Sequence, residues 1–178
     1  MNEHDSLHAA IYEIVKLYDH DASWPAAFLV ERERLISLFP AQFVEVEHIG
    51  STAIPGLKAK PIIDILAGVK SMAVAEALAE SLCRSGYTMS AEFNKTLVDR
   101  KWFMRSANGR RTHHLHVVVH GAKPWNERIL FRDALRQQPE LAARYAALKS
   151  QLAETHRTDR EAYTDAKAEF IRAACIDT

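Results

Sequence analysis

Hydrophobic positions along the chain fall into blocks whose spacing switches between helical and strand periods. Leu7, Ile11, Ile14, Val15 and Tyr18 recur at helical spacing and predict an amphipathic opening helix. Trp24-Pro25 begins a second helix, with Pro25 suited to its first turn. Phe28, Leu35, Ile36 and Phe39 carry the apolar face of this helix to a stop at Pro40. From Phe43 to Ile49 the period becomes two, with Val44, Val46 and His48 on one side and Glu45 and Glu47 on the other, as in a half-buried strand. Gly50-Ser51-Thr52 breaks that strand, and the AIPGLKAKP that follows is too rich in Pro and Gly for a long regular element. Pro61 to Val69 is an apolar run interrupted by the single carboxylate of Asp64, the pattern of a central strand buried on both faces.

A helix is expected from Met72 to Arg84, ending at Ser85-Gly86. Tyr87 to Met89 and Leu97 to Arg105 read as a hairpin with a polar connection, the second strand too charged to be central. Asn108-Gly109 signals a turn into the strand Thr112 to His120, on which His114 and His116 share a face. Beyond Pro124 the spacing is helical through Leu135, then from Leu141 to Leu152, and again from Tyr163 to Ile171, with Pro139 dividing the first two helices. No repeat or long linker interrupts the chain, so residues 1–178 read as one α/β (α+β) domain with a small sheet flanked by N-terminal and C-terminal helices.

Composition narrows the partners. With 178 residues, 48% hydrophobic and 26% charged, the chain can bury one sizeable core. Lys plus Arg and Asp plus Glu are equal at 23 each, so no net field draws the molecule to nucleic acid or to an anionic membrane. Phosphate binding must therefore be local. Cys83 and Cys175 have no metal or redox spacing, the N-terminus lacks signal-peptide features, and no stretch approaches transmembrane length. These features predict a cytoplasmic protein with reduced thiols.

Candidate chemistry concentrates between the first two strands. A Gly50-Ser51 turn allows backbone N–H groups to approach a phosphate, and the Ser51 and Thr52 hydroxyls add donors. Lys60 could reach the same anion, although a surface lysine lying along apolar groups is the plainer reading. Asp64, in apolar surroundings, needs a reason to be buried, which either a ligand or a structural partner could supply. His114 and His116 are two residues apart on their strand, as site residues or as ordinary histidines of a half-exposed strand. His48, two residues before Gly50, either points into the pocket or orients the turn.

The segment EHIGSTAIPGLKAKPIIDI resembles the GrpB family, a group within the polymerase-β-like nucleotidyltransferase superfamily. Trp24-Pro25, HHLHVV at 113 to 118, FRDALR at 131 to 136 and the stretch from Tyr163 to Phe170 also look like family landmarks. The resemblance implies a small mixed β-sheet of nucleotidyltransferase type, with Gly50 and Ser51 facing phosphate and Asp64 as a metal carboxylate. It implies Mg²⁺ or Mn²⁺ as cofactor and a nucleotide or small phosphorylated molecule as partner. Leu66 stands where the second metal carboxylate belongs, and His116 where a third acid would sit. The expected activity is nucleotidyl transfer to a small molecule, with Asp64 and His116 catalytic and His114 as a further metal ligand. The alternative is a noncatalytic nucleotide- or anion-binding module with a degenerate metal site; a transition-metal hydrolase using the His cluster is a third reading.

Overall fold

The computed structural model describes residues 14–176. Helix α1 (Trp24–Leu38) carries Pro in its first turn and buries Trp24, Phe28, Glu31 and Leu35, one residue per turn along one stripe. Strand β1 (Glu45–Ile49) leads into a single 3₁₀ turn, Ser51–Ala53, and then into β2 (Ile63–Val69). Helix α2 (Met72–Arg84) starts where the Ser71 hydroxyl accepts from Val74 N–H, which satisfies one of the free donors of its first turn. A short α3 (Ala91–Thr96) precedes the hairpin of β3 (Arg100–Ala107) and β4 (Arg110–Val119). The chain ends in α4 (Lys123–Gln137), α5 (Pro139–Thr155) and α6 (Arg160–Ile176).

The sheet order is β1-β2-β4-β3. β1 runs antiparallel to β2, β2 parallel to β4, and β3 antiparallel to β4, so the expected mixed sheet flanked by helices is present. Its two faces differ in chemistry. Ile63, Ile65, Ala67 and Val69 of β2 join Leu115 and Val117 of β4 in a core closed by Trp24, Phe28 and Leu35 of α1 and Ala75, Leu78 and Leu82 of α2. The opposite face presents Asp64, Leu66 and Gly68 beside their register partners His114, His116 and Val118. Ile49, Leu66 and Val118 meet Trp125 and Ile129 of α4 on that polar face. Ile54 and Leu57, in the Pro- and Gly-rich loop, pack with Leu135 of α4 and Tyr145 of α5, and so fix the loop to the C-terminal helices.

A buried ion cluster ties α1 to the rest of the molecule. Glu31 accepts from Tyr87 Oη at 2.7 Å, from Arg34 at 2.7 Å and from Arg105 at 2.5 Å, and Arg34 also donates to Ser85 O. Burial pushes the Glu31 carboxyl up, but its bonds to Arg34 and Tyr87 and the charge of Arg105 outweigh this and leave it below its ordinary value.

Two expectations change. The apolar stripe at Leu7 and Ile11 lies outside the described residues, and its continuation is not helical: Val15 N–H bonds Arg157 O, and Tyr18 pairs with Ala59 in an isolated bridge. Contacts distant in sequence override the local spacing there. The hairpin placed at Tyr87 to Met89 is one bridge, Thr88 to Met104, because Ser90 caps α3 by accepting from Phe93 N–H and turns the connection into a helix. β3 is an edge strand, as its charges suggest, but its hairpin partner is β4. Among the described residues, no helix is long and apolar enough to cross a membrane.

Candidate functional site

The register pairs Ile49 with Asp64, so the chain leaves β1 directly beside the carboxylate. Gly50 takes φ +72° and ψ −174°, a conformation open almost only to glycine. A Cβ at this position would lie 2.4 Å from Asp64 Oδ2. The turn therefore presses its backbone against the acid, and glycine is required both by conformation and by space. Asp64 keeps 29% of its side chain exposed and bonds His114 Nδ1 at 3.0 Å. An Arg111 guanidinium N–H lies 3.2 Å from His114 Nε2, and a guanidinium can only donate, so Nε2 accepts and Nδ1–H donates to Asp64. Burial raises the Asp64 carboxyl, but the hydrogen bond from His114, with weaker help from the charge of Lys167, brings it below its ordinary value. It is a carboxylate at neutral pH.

Ser51 meets a cation from the C-terminal helices. Lys149 of α5, 2% exposed, donates to Ser51 Oγ at 2.9 Å and to the carbonyl of Lys58. Its Nζ lies 5.2 Å from the Tyr145 ring centroid. Burial, and then the charge of Lys167, lower the Lys149 ammonium to about 7, with Asp64 opposing the shift. Lys167 lies 4.0 Å and Lys60 5.5 Å from the centroid of the Tyr163 ring, so both ammonium groups flank one aromatic side chain. The charges of Lys149 and Lys167 both lie within electrostatic reach of Asp64, and neither lysine was singled out from sequence. Lys149 falls four residues after Tyr145, and Lys167 four after Tyr163, on the same stripes as the buried tyrosines; that spacing was the available signal.

The remaining candidates divide between the two faces of the sheet. His48 pairs with Ile65, on the apolar side, where it stacks on Phe28 with centroids 4.8 Å apart. The Thr52 hydroxyl donates to Ile62 O at 3.3 Å and therefore accepts from His48 Nε2 at 3.0 Å. His48 and Thr52 accordingly brace the turn from behind, and burial drops the His48 imidazole to about 4. Of the two roles open to His48, orienting the turn matches its position. His116 shares the polar face with Asp64 and His114; burial and then the nearby Arg128 charge lower it to about 3, and its Nδ1 is buried without a partner among the described residues. Arg105 is engaged by Glu31, Arg132 by Glu47 and Asp133, and Arg136 by Ala53 O, so these arginines serve the scaffold.

These donors do not suit a resident divalent cation. Mg²⁺ and Mn²⁺ need several oxygen ligands, yet Leu66 is fully buried in the second carboxylate's place and both ring nitrogens of His114 are engaged. Among the described residues no group of three or more His, Cys, Asp or Glu is placed to hold a metal ion. The positive neighbours Lys149 and Lys167 further disfavour a cation and favour an anion.

The crystal structure of the conserved protein GrpB from Enterococcus faecalis shares this fold. That structure matches with a TM-score of 0.80 and 31% identity over 91% of this chain and 96% of that one. The family model described as GrpB protein matches residues 14–176, and the chain belongs to the GrpB family. It is 37% identical over 162 residues to the Glutamate-rich protein GrpB of Alkalihalophilus pseudofirmus, covering 88% of this chain and 91% of that protein. It is also 37% identical over 160 residues to the UPF0157 protein YqkA of Bacillus subtilis, where it spans 46% of the longer relative.

Proposed function

We propose that this protein binds the phosphates of a nucleotide, or of another small phosphorylated molecule, on the polar face of its sheet. In this reading the Gly50-Ser51 turn and Lys149 meet the phosphate, and side-chain ammonium groups supply the positive charge that paired metal ions supply in nucleotidyltransferases. The observation that carries it is the buried Lys149 ammonium held at 2.9 Å from the hydroxyl of the Gly-Ser turn. A buried cation whose partners are neutral oxygens gains most from an arriving anion. Asp64, bonded to His114, sets one wall and orients the imidazole.

Binding is favoured over transfer because one carboxylate and one leucine stand where paired acids would hold two metals. Calorimetric titration with ATP, once in EDTA and once with Mg²⁺ or Mn²⁺, tests the proposal together with an assay for released pyrophosphate. The expected result is saturable binding in EDTA, weakened at least about ten-fold by Lys149→Met, without pyrophosphate release. Binding that needs a divalent ion and ignores Lys149→Met would reject the arrangement. Pyrophosphate release with an acceptor present would establish nucleotidyl transfer instead.

A further inference from the structure

The β3 edge of the polar face carries a second group of nitrogen-rich side chains that neither the scaffold nor the Ser51 turn uses. Arg100 on β3 stands opposite Val118, and Trp102 opposite His116, so Arg100, Trp102 and His116 point to the same side as Asp64. Arg128 comes from α4, next to Ile129 and one turn after Trp125, the two residues that seat this helix on Leu66 and Val118. It donates one N–H to Pro124 O at 2.7 Å, and among the described residues neither Arg100 nor Arg128 has a carboxylate at salt-bridge distance. Both guanidiniums are partly buried, and His116 adds a buried Nδ1 that no described atom satisfies.

Such a cluster is unfavourable by itself. Two desolvated like charges repel, and a buried imidazole nitrogen without a partner forfeits the hydrogen bond it had in water. Burial first, and for Arg128 next the charge of Arg100, hold both guanidiniums below their ordinary range, with Asp99 opposing from an exposed position. An oxyanion would relieve all of these costs, since guanidinium forks match phosphate and carboxylate oxygens.

We infer that Arg100, Arg128 and His116 form a second anion subsite, which takes a further phosphate or carboxylate of the ligand whose first phosphate lies at Ser51 and Lys149. This rests on the function proposed above. Ser51 follows β1 and Arg100 lies on β3, at opposite edges of the sheet, so the ligand carries anionic groups on two sides of its body. A nucleoside bisphosphate is the simplest member of that class.

The test uses the full chain with isotope-labelled histidine and arginine side chains and labelled backbone amides, titrated with inorganic phosphate, adenosine 5′-monophosphate and adenosine 3′,5′-bisphosphate. We expect saturable shifts at the His116 ring and the Arg100 and Arg128 Nε signals, together with shifts at the Gly50 and Ser51 amides. The bisphosphate should bind at least about ten-fold tighter than the monophosphate, and Arg128→Met should abolish that advantage while the Gly50 and Ser51 amides still respond. Silent His116 and arginine signals beside responding amides overturn the subsite and leave the phosphate reading intact. Responding arginines beside silent amides support the subsite but refute the role of the Gly-Ser turn. If the two nucleotides bind equally, the shared-ligand claim fails.

Discussion

Replacing Gly50 by Ala challenges the contact on which the site is built, and two separate penalties can be worked from its geometry. Alanine would have to adopt φ +72° and ψ −174°, a glycine-only region costing about 1–3 kcal/mol. Its methyl would also lie 2.4 Å from Asp64 Oδ2, 2.9 Å from Cβ and 3.0 Å from Cγ. Asp64 cannot easily withdraw, because it sits in a central strand and its Oδ1 is bonded to His114. Overpacking of this kind costs roughly 1–3 kcal/mol, so the whole effect is about 2–6 kcal/mol. Denaturant unfolding of Gly50→Ala measures it, provided the slope of the transition is unchanged. Asp64→Gly removes all three crowding atoms, so a double-mutant cycle should return about 1–3 kcal/mol of coupling, leaving only the backbone strain. A Gly50→Ala protein within about 0.5 kcal/mol of wild type, or a cycle with no coupling, would refute the contact.

Two further substitutions test the charged interior through pH. Lys149 titrates near 7 when folded and near 10.5 as a free side chain. The unfolded chain therefore binds more protons between those values, and stability should rise with pH across the window by up to about 1.4 kcal/mol per pH unit. Lys149→Met should remove that slope; an unchanged profile by urea unfolding would show the ammonium to be freely solvated. Glu31 gives a slope of the same sign in a more acidic window: its carboxyl is lowered from 4.5, so the stability it confers is complete above that pH and is lost as pH falls through the lower folded value. Glu31→Gln should cost about 3 kcal/mol at pH 7, at the lower end for a broken buried pair because Arg34 and Arg105 remain 27% and 34% exposed. It should also flatten the acid limb of a stability-versus-pH curve, and loss of the same acid limb in both proteins would contradict the assignment.

Elements with a sustained period were legible in the sequence, because each buries a stripe or face of its own. The helix at Trp24, the strands around Val46 and Ile65, the helix from Met72 and the three C-terminal helices all occur where the periodicity places them. One error has a tertiary cause and the other a local capping cause. Tyr18 follows Ala59 into a bridge, and the segment after Met89 becomes helical because Ser90 caps it. For the site, a carboxylate in an apolar run beside a Gly-Ser turn was visible, and His114 does reach it. Lys149 was not, since it lies 98 residues from Ser51 and a lysine on a helix ordinarily reads as solvated. His48 shows the role of pairing: alternation puts it with Val46, but only the register of Ile49 against Asp64 reveals that this side faces away from the acid.

The most direct measurement is a crystal structure of the full chain with a nonhydrolysable ATP analogue, grown in EDTA. The expected result is phosphate oxygens within about 3 Å of Lys149 Nζ and beside the Gly50-Ser51 backbone, on the face shared by Asp64 and His114. A nucleotide seated elsewhere, with Lys149 still bonded to Ser51 and the Lys58 carbonyl, would contradict it.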